Sequence, residues 1–443
     1  MRFIDSPNTW HNFLIEKADK FELNERQNKV FLVRFACNNL ARKDNEIIEL
    51  LLGQPEYITR DTYPQIKGRI YEKFATLPLG YPELKEKSNK YKALLEWLRY
   101  KYSEWIDSYA PTYACPYYIE RPIESECCSE LRQPNGFVRI KASQKMGKTS
   151  FLKEVLRELN RKGNKALRFD FALEESEIFD NYERFCRSFG AGITEALDLP
   201  DRLTDCWDNC LGSNRNLTKY FKRYLLPELD RPLILGLDGL DRVFEHPTIA
   251  TDFCGLLRGW YDKRHQAIWQ KLRLAVVHST DVYVGLNINN SPLTGIGKIF
   301  TLESFSVEQV KTLAQRYELS LKSNTINELM IMFGGHPYLI DRAFRYMANP
   351  RNNVSWSGFL KSAPTDGSIF GNHLRQHLKT LQQNPALAAA LIETITATES
   401  IILNTQEGFI LVRLGLVKIM GNAYTPMCDL YRLYFQARLD ELR

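Results

Sequence analysis

The stretch RIKASQKMGKTSFLKEVL, residues 139 to 156, constrains the chain more than any other. An apolar strand pattern runs into a short loop ending in Gly147-Lys148-Thr149, and a helical pattern follows with Leu152, Val155, Leu156 and Leu159 on one face. Strand, tight loop and sheet-packed helix in that order point to a parallel α/β layer. Phosphate-binding loops follow the template G-x-x-x-x-G-K-[ST], in which backbone N–H groups at a helix N-terminus cradle phosphate oxygens. Ala142, Ser143, Gln144, Lys145, Met146, Gly147, Lys148, Thr149 and Ser150 fill this region, and Ala142 stands where the template has its first glycine. An alanine there costs on the order of 1 kcal/mol if its φ is positive, which is a strain and not a veto. Lys148 supplies positive charge, and the Thr149 hydroxyl suits Mg2+.

Such a site needs a second strand that ends in an acidic residue able to hold the metal. RPLILGLDGLD, residues 231 to 241, supplies it, with an apolar run closed by Asp238. An aspartate after a strand is also a common turn residue. Its coincidence with the loop at 142 to 149 gives it the metal role, so Thr149 and Asp238 are the expected Mg2+ ligands. Motor ATPases place a glutamate next, to polarise the attacking water, whereas this chain has Gly239 and its next carboxylate is Asp241. Asp238 and Asp241 are therefore the candidate catalytic carboxylates, and hydrolysis is expected to be slow.

At 443 residues the chain has room for about three domains. Apolar residues at 44% and charged residues at 25% exclude extensive disorder, and a net charge of +6 is too diffuse to require a nucleic-acid partner. MRFIDSPNTWHNF lacks a secretory pattern, and no segment approaches about 18 uninterrupted apolar residues. The expectation is a cytoplasmic protein with no membrane partner. The nine cysteines include Cys127-Cys128 and Cys206 with Cys210, but no pair of pairs at zinc-finger spacing, so free thiols are expected.

Residues 1 to 110 read as helical, and APTYACP reads as a linker. Residues 111 to 303 alternate strands and helices, with FVRIKA, ALRFDFA, LILGLD and LRLAVVH as the strands. Strands cease from 304 to 352, where SVEQVKTLAQRYEL opens at Ser306 with Glu308 close behind, an approximate capping signal. Residues 353 to 443 give two helical patterns and then EGFILVRLGLVKIMGNAYTP, a hairpin about Gly421-Asn422. Helices followed by a hairpin suggest a winged helix.

Asp-Gly-Leu-Asp at 238 to 241 resembles the second motif of NACHT-type members of the STAND class, the signal-transducing P-loop ATPases related to AAA+ proteins. More specifically, YYIERPIESECCSEL with FVRIKASQKMGKTSFL, then LLRGWYDKR, LRLAVVHSTDVYVGLNINNSPLTGIG, GGHPYLIDRAF and GLVKIMGNAYTPMCDLYRLYF, resemble the AAA-like ATPase domain family found mainly in cyanobacteria. The resemblance spans roughly residues 112 to 440. It implies a multi-domain α and α/β protein: a helix-turn-helix-like N-terminal domain, a P-loop ATPase core with a helical lid, and a C-terminal winged helix. It implies ATP or ADP with Mg2+ as cofactors and Arg121 bordering the nucleotide. Ser279 and Thr280 would end the sensor strand facing the γ-phosphate, and Pro337 of Gly335-His336-Pro337 would pack near the nucleotide from the lid. Arg258 is either an arginine finger acting in trans or a structural residue. The commoner family loop has Pro, Arg and Gln before Met-Gly-Lys-Thr, and relatives often carry glutamate at 239. The glycine at 239 favours a switch with slow hydrolysis over a motor.

LNERQNKVFLVRF, DNEIIELLL and ITRDTYPQIKGRIYEKFA resemble the N-terminal modules of bacterial conflict-system ATPases. Arg60, Lys67, Arg69 and Lys73 would then face DNA or a partner protein. Residues 1 to 108 hold 18 Lys/Arg against 16 Asp/Glu, a balance of only +2, so protein docking is weighed above DNA binding. The functional expectation is a nucleotide-controlled switch governing self-association or effector recruitment in signalling or defence. The alternatives are a DNA-binding AAA+ ATPase of origin-recognition or transposition-regulator type and an adaptor with a vestigial site.

Overall fold

The computed structural model describes residues 7–36, 39–40, 42–52, 58–76, 81–109, 116–279, 293, 295–349 and 355–442. The chain divides into two compact units, Met1–Tyr113 and Ala114–Arg443.

The first unit is helical among its described residues: Pro7–Lys20, Glu25–Phe35, Asp44–Leu51, Thr62–Thr76 and Lys90–Tyr109. Asn24 opens the second helix with a capping box, its side chain accepting from Gln27 N while Gln27 Oε1 accepts from Asn24 N. The helices close on an aromatic core in which Phe21 and Phe74 stack at 4.1 Å and Trp10, Phe31 and Phe35 are buried. Pro64 lies in the first turn of Thr62–Thr76, where its missing N–H has no intrahelical partner to lose, so the helix runs on through Gly68.

In the second unit, β1 (Phe137–Lys141), β2 (Lys165–Asp170), β3 (Leu233–Asp238), β4 (Leu272–His278) and β5 (Lys298–Thr301) form a parallel sheet in the order β2-β3-β4-β1-β5. β3 and β4 are buried along their whole length, as continuous apolar runs covered on both faces must be. Alternation sorts their side chains: Val138, Ile140, Ile234, Ala275 and Val277 join one core, and Leu233, Leu235, Leu237, Leu274 and Val276 the other. The helix Lys148–Arg161 lies on the first face, where Gly236 lets Leu152 and Leu156 approach the strand. Sequence patterning does not single out β5, a four-residue strand in which only Phe300 is buried.

Val307–Arg316, Ser323–Phe333 and Pro337–Met347 follow the sheet. Ser306 caps the first of these, with Gln309 rather than Glu308 completing the box. Further on, Gly371–Gln382, Pro385–Thr396 and Thr405–Leu414 lead into the antiparallel hairpin of β6 (Val417–Met420) and β7 (Ala423–Pro426), turned at Gly421, and then Asp429–Gln436. One apolar core runs from Ile119 through Leu313 and Ile340 to Tyr434, across the expected borders at 303/304 and 352/353.

Candidate nucleotide-binding site

β1 delivers the chain into the loop from 142 to 147, and the helix starting at Lys148 takes it away. Among the described residues of this loop, positive φ occurs at Lys145 (60°) and Gly147 (89°). Ala142 is not one of them, so the strain anticipated at the template's first position is not there. It falls on Lys145, a non-glycine residue in the left-handed region. Gly147 turns the chain into the helix.

The Lys148 ammonium lies inside this turn. Its Nζ donates to the Ala142 carbonyl at 2.9 Å, the Ser143 carbonyl at 2.9 Å and Ser279 Oγ at 3.3 Å. Burial lowers its pKa, while Asp241 and Asp238 pull the other way. A phosphate here would meet a cation already aimed into the loop.

Thr149 Oγ1 donates to Asp238 Oδ1 at 3.3 Å, which brings together two hard oxygen donors from the P-loop helix and from β3. Asp238 is 4% exposed and also accepts from Gly239 N at 3.0 Å and from Arg168 Nε at 2.9 Å. These donors fit a Mg2+ ion, with Arg168 holding the charge of Asp238. Asp241 is placed differently. Both its oxygens accept from Ser279 N, at 2.8 and 3.1 Å, and Oδ2 also accepts from Ser279 Oγ at 2.8 Å. It fastens the end of β4 beside Lys148. Thr280 lies outside the described residues.

A cleft of about 430 Å³ opens beside the loop, lined by Lys145, Gly147, Lys148, Thr149 and Ser150 on one side and by Tyr117, Ile119, Phe305 and Pro337 among the others. The polar loop and the apolar wall together suit a phosphorylated molecule with a flat apolar part. Arg121 is 7% exposed, lines the cleft, and donates to Glu303 O at 2.7 Å and Met146 O at 3.2 Å, so it braces the loop at the cleft wall. Burial lowers its pKa. Met146 points into the apolar core.

The loop is also gripped by the C-terminal helices, through contacts that no local pattern announces. Gln144 N donates to Arg413 O at 2.9 Å. Lys145 Nζ lies 2.9 Å from His373 Nδ1, and His373 Nε2 lies 2.8 Å from the Tyr431 hydroxyl. An ammonium can only donate, so Nδ1 accepts and the ring proton sits on Nε2, facing Tyr431. His373 packs edge-on against His377 at 4.5 Å, and His336 is buried nearby. Burial, then the neighbouring His377 and Lys145, push His373 down to about 2. Burial likewise pushes His336 to about 3 and His377 to about 4. All three rings are neutral at physiological pH. His336 is thus part of a buried cluster beside the loop.

The candidates in the first unit are largely engaged within it. Arg60 pairs with Glu49 at 2.5 Å, Lys67 with Asp44, and Lys73 donates to Glu22 O. Arg69 is exposed.

A parallel sheet with Gly-Lys-Thr following β1, and an acidic strand end separated from β1 by one strand, defines a P-loop protein. Residues 107–437 match the AAA-like domain, and the chain belongs to that family. Among solved structures it is similar to a Walker-type ATPase of Pyrococcus abyssi, at 15% identity over 72% of this chain and 96% of that one, with a TM-score of 0.48. It is similar to the ORC2 protein of Aeropyrum pernix at 14% identity over 73% and 97% of the two chains, TM-score 0.43. A STAND protein with a tetratricopeptide repeat sensor from Pyrococcus horikoshii shares 15% identity over 73% and 43%, TM-score 0.32. No curated protein sequence matches the chain. No helix among the described residues is long and apolar enough to cross a membrane.

Proposed function

We propose that this chain is a nucleotide-controlled switch of the STAND kind. ATP or ADP, held with Mg2+ by Thr149 and Asp238, would set whether the C-terminal winged-helix region stays clamped on the P-loop. The observation that carries this reading is the double grip on the loop by Arg413 O and His373. A phosphate-binding loop works through its backbone N–H groups and cations, and here Gln144 N and Lys145 Nζ are committed to the C-terminal helices. Phosphate contacts and C-terminal packing therefore compete for the same atoms. Ligand and packing that compete for one loop are linked, and a nucleotide with different affinity for the clamped and released forms shifts their balance.

Slow hydrolysis fits Gly239 and the engagement of Asp241 by Ser279. Release of the clamp would free surfaces for self-association or for an effector protein in bacterial signalling or defence. On the DNA-binding alternative, Lys67 and Lys73 are engaged within their own unit, while Arg60, in an exposed pair with Glu49, and Arg69 stay at the surface of a unit whose charges nearly balance.

The test is to denature freshly purified protein and identify the nucleotide released, with Lys148→Ala alongside, and to compare the assembly state of both with ADP and with ATP. The expected result is ADP in the wild type, none in the variant, and nucleotide-dependent assembly only in the wild type. An empty wild type whose melting does not respond to ATP and Mg2+ refutes the reading.

A further inference from the structure

Position 239 is where a side-chain carboxylate beside the metal-holding aspartate would face the attacking water, and the chain has a glycine there with φ 71°. A Cβ added at Gly239 would lie 3.3 Å from Ala172 N and 3.3 Å from Asp170 Oδ1. The space that a side chain at 239 would enter is therefore already bordered by a carboxylate, and that carboxylate comes from the neighbouring strand. Asp170 ends β2 and is the Cα partner of Asp238 at the end of β3, so the two acids stand side by side at the carboxyl edge of the sheet.

Asp170 is fixed in place. Its Oδ1 accepts from Ala172 N at 3.0 Å, and its Oδ2 is held by the Arg168 guanidinium, whose Nε reaches Asp238 Oδ2 at 2.9 Å. One arginine thus orients both carboxylates. Each carboxylate oxygen keeps a further lone pair for a water molecule. Asp241, nearer in sequence, accepts three bonds from Ser279 and fastens the end of β4.

We propose that Asp170 is the water-facing carboxylate of the site, standing in for the side chain that position 239 lacks. This rests on the reading of the cleft as a site that binds and hydrolyses ATP. In that role Asp170 accepts a hydrogen bond from the water beside the γ-phosphate. The water oxygen bonds to phosphorus as the bond from phosphorus to the β–γ bridging oxygen breaks. ADP leaves with that electron pair. One water proton stays on the new P–OH and the other passes to a second phosphate oxygen, giving dihydrogen phosphate.

The test compares wild type with Asp170→Ala and with Asp170→Asn, which keeps the size of the side chain and one acceptor for Ala172 N. Three quantities are read: single-turnover hydrolysis of labelled ATP, the melting shift produced by ADP with Mg2+, and the additional shift produced by aluminium fluoride, which mimics the phosphoryl group in transfer. Expected are a fall in hydrolysis of roughly 100-fold, as for a misplaced reacting group, an unchanged ADP shift, and loss of the additional shift in both variants. Asp170→Asn hydrolysing at the wild-type rate, or keeping the aluminium fluoride shift, overturns the inference and leaves the nucleotide-binding reading intact. A wild type that binds ADP and ATP but does not hydrolyse also overturns it alone. A wild type that binds neither nucleotide overturns both.

Discussion

Acidification should unfold the second unit well before the usual acid limit, because it buries neutral histidines. His336, His373 and His377 are held at about 3, 2 and 4, and His278, enclosed at the end of β4, at about 4, against an ordinary value of 6.5. The folded pKa of each lies below the unfolded one, so the unfolded chain binds more protons throughout the interval between them. Stability is then complete above pH 6.5 and falls as pH drops towards the folded values. At pH 5 an unfolded histidine is almost fully protonated and one held at 4 or below is nearly unprotonated, a loss of about 2 kcal/mol each. Three members of the cluster together give about 6 kcal/mol, comparable to the whole stability of many domains. Lys145 and Arg342, which place positive charge beside His373, are part of what holds it low. The assay is urea unfolding followed by fluorescence from pH 7.5 to 5, with the first unit, which contains none of the four residues, as the internal control. The slope should correspond to at least two protons, about 3 kcal/mol per pH unit. His373→Gln should lower that slope by about 1.4 kcal/mol per pH unit. A stability that is flat over this range refutes the neutral cluster.

Three other perturbations test the packing and the site. Gly236→Val should cost about 1–3 kcal/mol in urea unfolding, because an added Cβ would sit 2.8 Å from Leu156 Cδ1 and 3.1 Å from Leu152 Cδ1. Ser306→Ala should lower stability by about 1 kcal/mol through loss of the box with Gln309, while Glu308→Ala should leave the cap in place. Arg168→Met leaves Asp238 buried without its partner and should destabilise the nucleotide-free protein by about 3 kcal/mol or more. Titration with ADP and Mg2+ should recover more stability in that variant than in the wild type, and equal recovery would show that Arg168 does not share the charge of Asp238 with the metal.

The sheet was legible because β1, β3 and β4 are apolar runs long enough to stand out, and the Gly-Lys-Thr turn marks where β1 must feed a helix. Asp238 was legible for the same reason: it is the first polar residue after such a run. β5 was not, since KIFT is four residues with a single buried side chain, shorter than any period can establish. Asp241 shows a different limit. Its spacing from Asp238 made it a candidate catalyst, while its bond to Ser279, 38 residues away, is beyond the reach of any local pattern. The histidine cluster shares that limit. His373 and His377 are one helical turn apart and so share a face, a readable pairing, but nothing local joins them to Lys145, 228 positions earlier.

The departure from the loop template acquires a physical meaning once the strain is located. Ala142 has an unstrained backbone, and the left-handed residue is Lys145, whose side chain is the one seized by His373 and laid over the Tyr338 ring at 4.5 Å. A non-glycine residue at φ 60° costs roughly 1 kcal/mol or more and persists where the surroundings over-determine it. Here the surroundings are the C-terminal helices, acting through Arg413 O on Gln144 and His373 on Lys145. The loop is therefore held in a slightly strained shape by those helices. A glycine at 145 would hold the same backbone shape without strain, but it could not be gripped by its side chain. Lysine at that position links the shape of the loop to the packing of the C-terminal helices.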